Sequence, residues 1–502
     1  MSCLATPLRF LALSHRELNL AVSVKSGQSF RWHRTAPPVC TLVDPPAAPP
    51  TVPDDAEEWA LGWRDRTVVL RQAPEGLYYR SLYPYSAPPH AAFLADLKSD
   101  TTLSFIRRYF QLDVKLEPLY DQWAAGDAKF RKKVEAQGEA LRGIRVLAQD
   151  EWETLVSFIC SANNNIARIT LMVNRLCAAR GSALPHPSSF TPSCVHSSAA
   201  SIPTSPPPPP SADAPSLFAF PPPTALTSSD TEPLLRQLGF GYRASFLPAS
   251  AAHLLSVSSS LNLSPEAYLR TLRADASPRK ALSEAREKLV EFKGVGRKVA
   301  DCVLLFGLGW SECVPVDTHV FQIAIRDYSF PAPRSSSLTP ALHDRVAAFL
   351  AAKWGGEGGQ YAGWHQQVLF FADLKPSGSS SSSPTKKKGM QEVYSRIELE
   401  GQEEGEDEGA AKRKLTFEEE VAALIATPGA KRSRRSVVQA SVKVEVKETV
   451  VVKREGDGYS SPLSSPEPES EPELQDPTPR KKWAAKDGKN KPAKGGRVKK
   501  EE

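Results

Sequence analysis

Cysteine is scarce and badly placed for structure. Seven in 502 residues, at 3, 40, 160, 177, 194, 302 and 313, are odd in number and include no Cys-x-x-Cys pair. That pattern argues against a disulfide framework or a zinc centre and points to a reducing compartment. Long apolar runs are missing as well; none approaches the ~18–20 residues of a membrane-spanning helix. Residues 1–20 lack a basic start followed by an apolar stretch, so no secretion signal is expected. Charge of one sign is not in large excess either: 63 Lys+Arg against 57 Asp+Glu leaves +6. The expectation is a soluble intracellular protein without a membrane partner.

Proline is what the chain has in surplus, 44 of 502, against a usual ~5%, and its runs divide the sequence. Residues 1–112 read as an antiparallel sheet domain. Alternating Leu18, Leu20, Val22 and Val24 suggest a half-buried strand, and short aromatic or β-branched runs follow at 29–33, 59–63, 67–71 and 77–82. A Pro-rich loop at 43–55 interrupts them. From His90 the apolar period becomes helical, with amphipathic stretches at 152–159, 166–178, 268–272, 282–290, 299–308 and 346–354. Residues 113–375 are therefore read as helical domains, with a Pro/Ser-rich disordered insertion at 184–230. Residues 376–502 alternate serine, acidic and basic blocks with few aromatics, the signature of a disordered charged tail. The tail's partners are not specified by its sequence. The fold class is α+β.

The chemistry concentrates at one place. In Phe292-Lys-Gly294-Val-Gly296-Arg-Lys298-Val-Ala-Asp-Cys302, two glycines flank one apolar residue between two helical patterns at 282–308. Such a turn exposes backbone N–H groups at a helix start, where a DNA phosphate can bind. Lys298 lies two residues into the second helix. There the helix dipole and partial burial are both expected to lower its pKa toward that of a nucleophile; the plainer reading is a phosphate contact. Downstream, Val314-Pro-Val-Asp317 places a carboxylate before another helical pattern. Asp317 is an N-cap by position, and as a charged group facing a cleft it could stabilise a cationic sugar.

These segments resemble the helix-hairpin-helix DNA glycosylase superfamily. Within it, further motifs are similar to eukaryotic 8-oxoguanine DNA glycosylase/AP lyase: Ser26-Gly-Gln-Ser-Phe-Arg-Trp32, Tyr109-Phe-Gln-Leu-Asp113, Phe158-Ile-Cys-Ser-Ala-Asn-Asn-Asn-Ile-Ala-Arg-Ile169, Gly239-Phe-Gly-Tyr-Arg243 and Tyr361-Ala-Gly-Trp364. They occur in the family's order over residues 8–375. The resemblance implies an N-terminal sheet domain followed by helical subdomains clamping DNA. It makes Lys298 the nucleophile that forms a Schiff base with the sugar, and Asp317 the group that stabilises developing charge. Gly27, Cys302, Gln366 and Phe370 would line the lesion pocket, with the Gly27 carbonyl accepting the N7 hydrogen that distinguishes 8-oxoguanine from guanine. Asn163 would fill the space left by the flipped base, Arg168 and Arg243 would pair with the orphaned cytosine, and Tyr242 would wedge the stack. Gly294, Gly296 and His319 would contact phosphates.

The implied partner is double-stranded DNA containing oxidised guanine, acted on by a monomer without cofactor or metal. The expected location is the nucleus, with a mitochondrial pool left open. Lys293 stands where the family often has proline before the hairpin. No cysteine follows Cys313, which argues against the iron–sulfur members of the superfamily. Another glycosylase specificity, or a non-catalytic DNA-binding protein, remains the alternative.

Overall fold

The computed structural model describes residues 2–35, 57–190, 194–198, 200, 202, 216–333, 337–356 and 359–374. The Pro-rich loop at 43–55 and the tail at 376–502 lie outside the described residues. Six strands form the N-terminal sheet: β1 Cys3–Ala5, β2 Arg9–Ala12, β3 His33–Thr35, β4 Glu58–Trp63, β5 Arg66–Ala73 and β6 Gly76–Pro84. The order is β1-β6-β5-β4-β3, with β2 also on β6, and every pairing is antiparallel. A short helix, α1 Leu20–Lys25, lies between β2 and β3.

Helices follow: α2 Ala91–Ser99, α3 Thr101–Tyr109, α4 Leu116–Gly126, α5 Ala128–Gln137, α6 Glu151–Ile159 and α7 Ile166–Arg180. A small two-stranded pair, β7 Ala183–Leu184 with β8 Leu217–Phe218, comes next. The remainder is α8 Thr231–Gln237, α9 Phe246–Ser260, α10 Pro265–Arg270, α11 Leu282–Val290, α12 Arg297–Phe306, α13 Thr318–Tyr328, α14 Pro340–Trp354 and α15 Ala362–Leu374. The α+β reading holds, with the sheet first and the helices after.

Besides the run at 29–33, of which only His33 enters a strand, two expectations need correcting. Residues 18–24 are not a strand. Asn19 caps α1, its Oδ1 accepting from Val22 N at 3.2 Å, and that local bond overrides the alternation of apolar residues. The second correction concerns 184–230, whose two ends are folded. One face of the sheet packs Trp59, Leu61, Val68 and Leu70 with Ile106, Tyr109 and Phe110 of the α3 region. The other face mixes Ala60, Val69 and Leu82 with Glu58, Arg71 and Arg80, and the described parts of 184–230 cover its apolar part. Cys194 and Phe190 pack with Cys3, Val69 and Leu82, while Leu184 and Leu217 pack on Ala60. A few well-placed apolar residues suffice to order a Pro/Ser-rich segment when a sheet face must be kept from water.

Candidate active site

The hairpin joins α11 to α12. Gly294 adopts φ +84°, and a Cβ there would stand 2.4 Å from the Phe246 ring, so glycine is required twice over. Gly296 is the N-cap of α12 and supplies no side-chain cap. The first N–H groups of α12 therefore have no side-chain acceptor from that position, the arrangement that favours an anion.

Lys298 is half-buried on the first turn of α12. Its ammonium lies 5.3 Å from the centre of the Phe158 ring, and that ring stacks on Phe306 at 5.5 Å. Burial pushes the lysine pKa down, but the Cys302 sulfur and the Asp317 carboxylate outweigh it, and the group sits above its ordinary value. This corrects the expected downward shift, which weighed burial and the dipole without the neighbouring carboxylate. Lys298 is an ammonium at neutral pH in the DNA-free protein. Cys302, fully buried one turn along, is pushed up to about 11 by burial and stays a thiol.

Asp317 caps α13 as its position suggests. Oδ1 accepts from His319 N at 2.9 Å and Val320 N at 2.8 Å, and among the described residues Oδ2 has no hydrogen-bond partner. No ion pair joins Asp317 to Lys298 among the described residues. The carboxylate acts on the ammonium across a gap.

The first turns of α15 bring Gln366 and Phe370 to the same region. Gln366 Nε2 donates to Pro315 O at 2.8 Å, which leaves Oε1 buried without a partner. Phe370 meets His319 edge-on at 5.4 Å. His319 is itself engaged, its Nε2 3.0 Å from Asp373, a carboxylate that also binds Arg326 and Lys133. Burial raises the Asp373 pKa, but His319 and Arg326 outweigh it and hold the carboxyl far below its usual range.

Gly27 takes φ +79° in a loop tied to the domain interior. The Gln28 amide donates to Ser23 O, Ser26 Oγ and Arg145 O.

Asn163 is exposed and holds φ +48°, and Arg168 is exposed, its guanidinium reaching Gly239 O at 3.4 Å. Tyr242 is half exposed and donates to Ala162 O at 3.0 Å. Arg243 differs from the expectation of an outward donor. It is buried, stacks 4.3 Å over the Tyr242 ring and donates to the Ala162 and Asn163 carbonyls. Sequence reasoning singled out each of these positions. It missed the buried polar groups behind them: Gln149, Gln367, and the Asp127–His365 pair described below. Each is an isolated polar residue that no motif flags.

Residues 10–155 match the model for 8-oxoguanine DNA glycosylase, N-terminal domain. Residues 156–346 match that for HhH-GPD superfamily base excision DNA repair protein. An N-glycosylase/DNA lyase of Saccharomyces cerevisiae is 32% identical over 407 residues, covering 77% of this chain and 92% of the relative. N-glycosylase/DNA lyase OGG1 of Arabidopsis thaliana is 32% identical over 370 residues, covering 74% and 81%. A solved structure of MBOgg1 in complex with a low-affinity DNA ligand shares the fold, with a TM-score of 0.50 at 23% identity, covering 73% of this chain and 95% of that one. The chain therefore belongs to the 8-oxoguanine DNA glycosylase/AP lyase family of the helix-hairpin-helix superfamily, and is a base-excision-repair DNA N-glycosylase and lyase.

Proposed function

We propose that the enzyme flips out and removes 8-oxoguanine, and ring-opened formamidopyrimidine, opposite cytosine, and then cuts the strand through a Schiff base. The observation that carries the reading is a pair of acceptors open among the described residues, the Gly27 carbonyl and the buried Gln366 Oε1. An oxidised guanine presents a hydrogen on N7 and donors on N1 and N2, so it can satisfy both. Guanine lacks the N7 hydrogen and would leave the first acceptor unpaired. Cys302 and Phe370 would enclose the base plane, and His319 and the hairpin glycines would hold phosphates.

In the reaction, the proton Lys298 loses goes to the departing base, and Nζ bonds to C1′ as the C1′–N9 electron pair leaves with that base. The adduct opens to an imine, and loss of a C2′ proton then expels the 3′ phosphate. Asp317 offsets the positive charge that builds on the sugar. At ~4 Å and an effective dielectric of ~20 such a pairing contributes about 4 kcal/mol. Asn163, Tyr242, Arg168 and Arg243 would address the opposite strand, Arg243 after releasing the carbonyls it holds. We further propose that the enzyme acts as a monomer. The basic clusters at 386–388, 431–435 and 491–500 support import into the nucleus.

Borohydride trapping on a duplex carrying 8-oxoguanine opposite cytosine tests the central claim. Wild type is expected to give a covalent protein–DNA band, and Lys298→Gln none. Base release without a band would remove the Schiff-base step, and no release at all would remove the substrate assignment.

A further inference from the structure

The loop that carries Gly27 is fixed from two directions. Gln367 of α15 is buried, and its Nε2 donates to Ser26 O at 3.0 Å, a bond spanning 341 residues of chain. Gln149, before α6, is buried too, and its Nε2 donates to Gln28 O at 2.6 Å. The Ser26 and Gln28 carbonyls, in the peptide groups that flank the Gly27–Gln28 peptide, are thus each held by a glutamine amide from a separate element. Among the described residues the Gly27 carbonyl between them accepts nothing. A peptide group rotates about its flanking torsions, and pinning both neighbours removes that freedom. Gly27 itself, without a Cβ and at positive φ, cannot hold the plane on its own.

We infer that Gln367 is a positioning residue for lesion discrimination: with Gln149 it clamps the two peptide groups around Gly27, so that one carbonyl is presented in a single orientation to a base bearing an N7 hydrogen. The inference rests on the proposed role of Gly27. Its physical content is preorganisation. A discriminating acceptor that could swing away would accommodate guanine at little cost, whereas a fixed one leaves guanine with an unmet contact. Gln367 follows Gln366 directly, so one turn of α15 supplies both an open acceptor and the brace for the other.

The experiment uses the full chain and two duplexes of one sequence, one with 8-oxoguanine opposite cytosine and one with a preformed abasic site there. Gln367→Met removes the donor at similar volume. Single-turnover base release is expected to fall about tenfold, the worth of one buried hydrogen bond. Strand scission at the abasic site, which has no base to recognise, is expected to stay within about twofold of wild type. Unchanged base release would overturn the assignment, and so would an equal fall in both rates, because that marks a merely structural bond. Should Gln367→Met not fold, as judged by thermal melting, Gln149→Met carries the same expectation and the same two ways to fail. If wild type cuts the abasic duplex but releases no 8-oxoguanine, the role given to Gly27 falls first, visibly, and this inference falls with it.

Discussion

The groups proposed to hold the lesion and those proposed to face the opposite strand are built differently. On the lesion side, the functional groups are braced from behind. Gln366 is bonded to Pro315, the Gly27 loop to two glutamines, and His319 to Asp373. The brace extends to a buried pair under α15. His365 Nε2 lies 3.3 Å from Asp127, whose other contacts include Tyr328 Oη at 2.5 Å. On the opposite side, Asn163 and Arg168 are exposed, and Arg243 is spent on backbone carbonyls of its own neighbours. On the proposed roles, the difference means a pocket ready before DNA arrives and a strand-reading surface that rearranges on binding. A glycosylase has reason for that division. Discrimination that turns on one N7 hydrogen needs a fixed frame, whereas entry into a stacked duplex needs parts that move.

Breaking the lesion side should have the largest effect. Asp317→Asn keeps an N-cap acceptor but removes the charge. Base release is expected to fall by about a hundredfold to a thousandfold with melting temperature nearly unchanged, as single-turnover kinetics and calorimetry would show. The loss should be equal for cytosine and adenine opposite the lesion.

The brace beneath comes next. Burial raises the Asp127 pKa, but hydrogen bonds from His365 and Tyr328 outweigh it and lower it to about 2. A depressed carboxylate stabilises the fold above its unfolded pKa of about 3.9, and loses that contribution as pH falls toward the folded value. Asp127→Asn is expected to cost about 2 kcal/mol in urea unfolding at pH 7. The gap should close between about pH 4 and pH 2; a gap that persisted there would mean the charge is not its source.

The smallest effects belong to the opposite strand, and they sharpen the contrast. Arg168→Ala should slow excision opposite cytosine by about tenfold, roughly the worth of one charged hydrogen bond, and leave excision opposite adenine alone. Arg243→Ala should do the same and also lower the melting temperature, because the 162–163 carbonyls lose their donor. If Arg243→Ala changed stability and not opposite-base preference, the buried arginine would be a structural clamp alone.

Much of this was legible in the sequence because chemistry and turn geometry share residues there. Gly294, Gly296, Lys298 and Asp317 stand out as two glycines, a lysine and a cap at fixed spacing, and the fold puts them where that spacing implies. Strands β4, β5 and β6 followed from aromatic and β-branched runs. The rest depended on distance. Leu18–Val24 alternates like a strand, yet one asparagine decides for helix. Strands β1 and β2 are short, and β6 pairs with both, a partner dozens of residues away. The direction of the Lys298 shift is set by Cys302 and by Asp317, whose approach no local pattern reports. Gln149 and Gln367 are each one glutamine, ordinary until the loop they brace is in place.

The pairing of β7 with β8 matters for how such an enzyme can change over generations. Ala183 faces Phe218 and Leu184 faces Leu217, and the buried Arg31, paired with Glu153, donates to Phe218 O at 2.7 Å. The chain that departs after β7 is thus obliged to come back beside it. This closed stem works as a splice point. Length added beyond it, past the sheet contacts of Phe190 and Cys194, is expected to leave the helices bearing Lys298 and Asp317 in place, because doubling the length enclosed costs only about 0.6 kcal/mol. Lineages are free to experiment there, and so is an engineer looking for a site to graft a reporter onto a working repair enzyme.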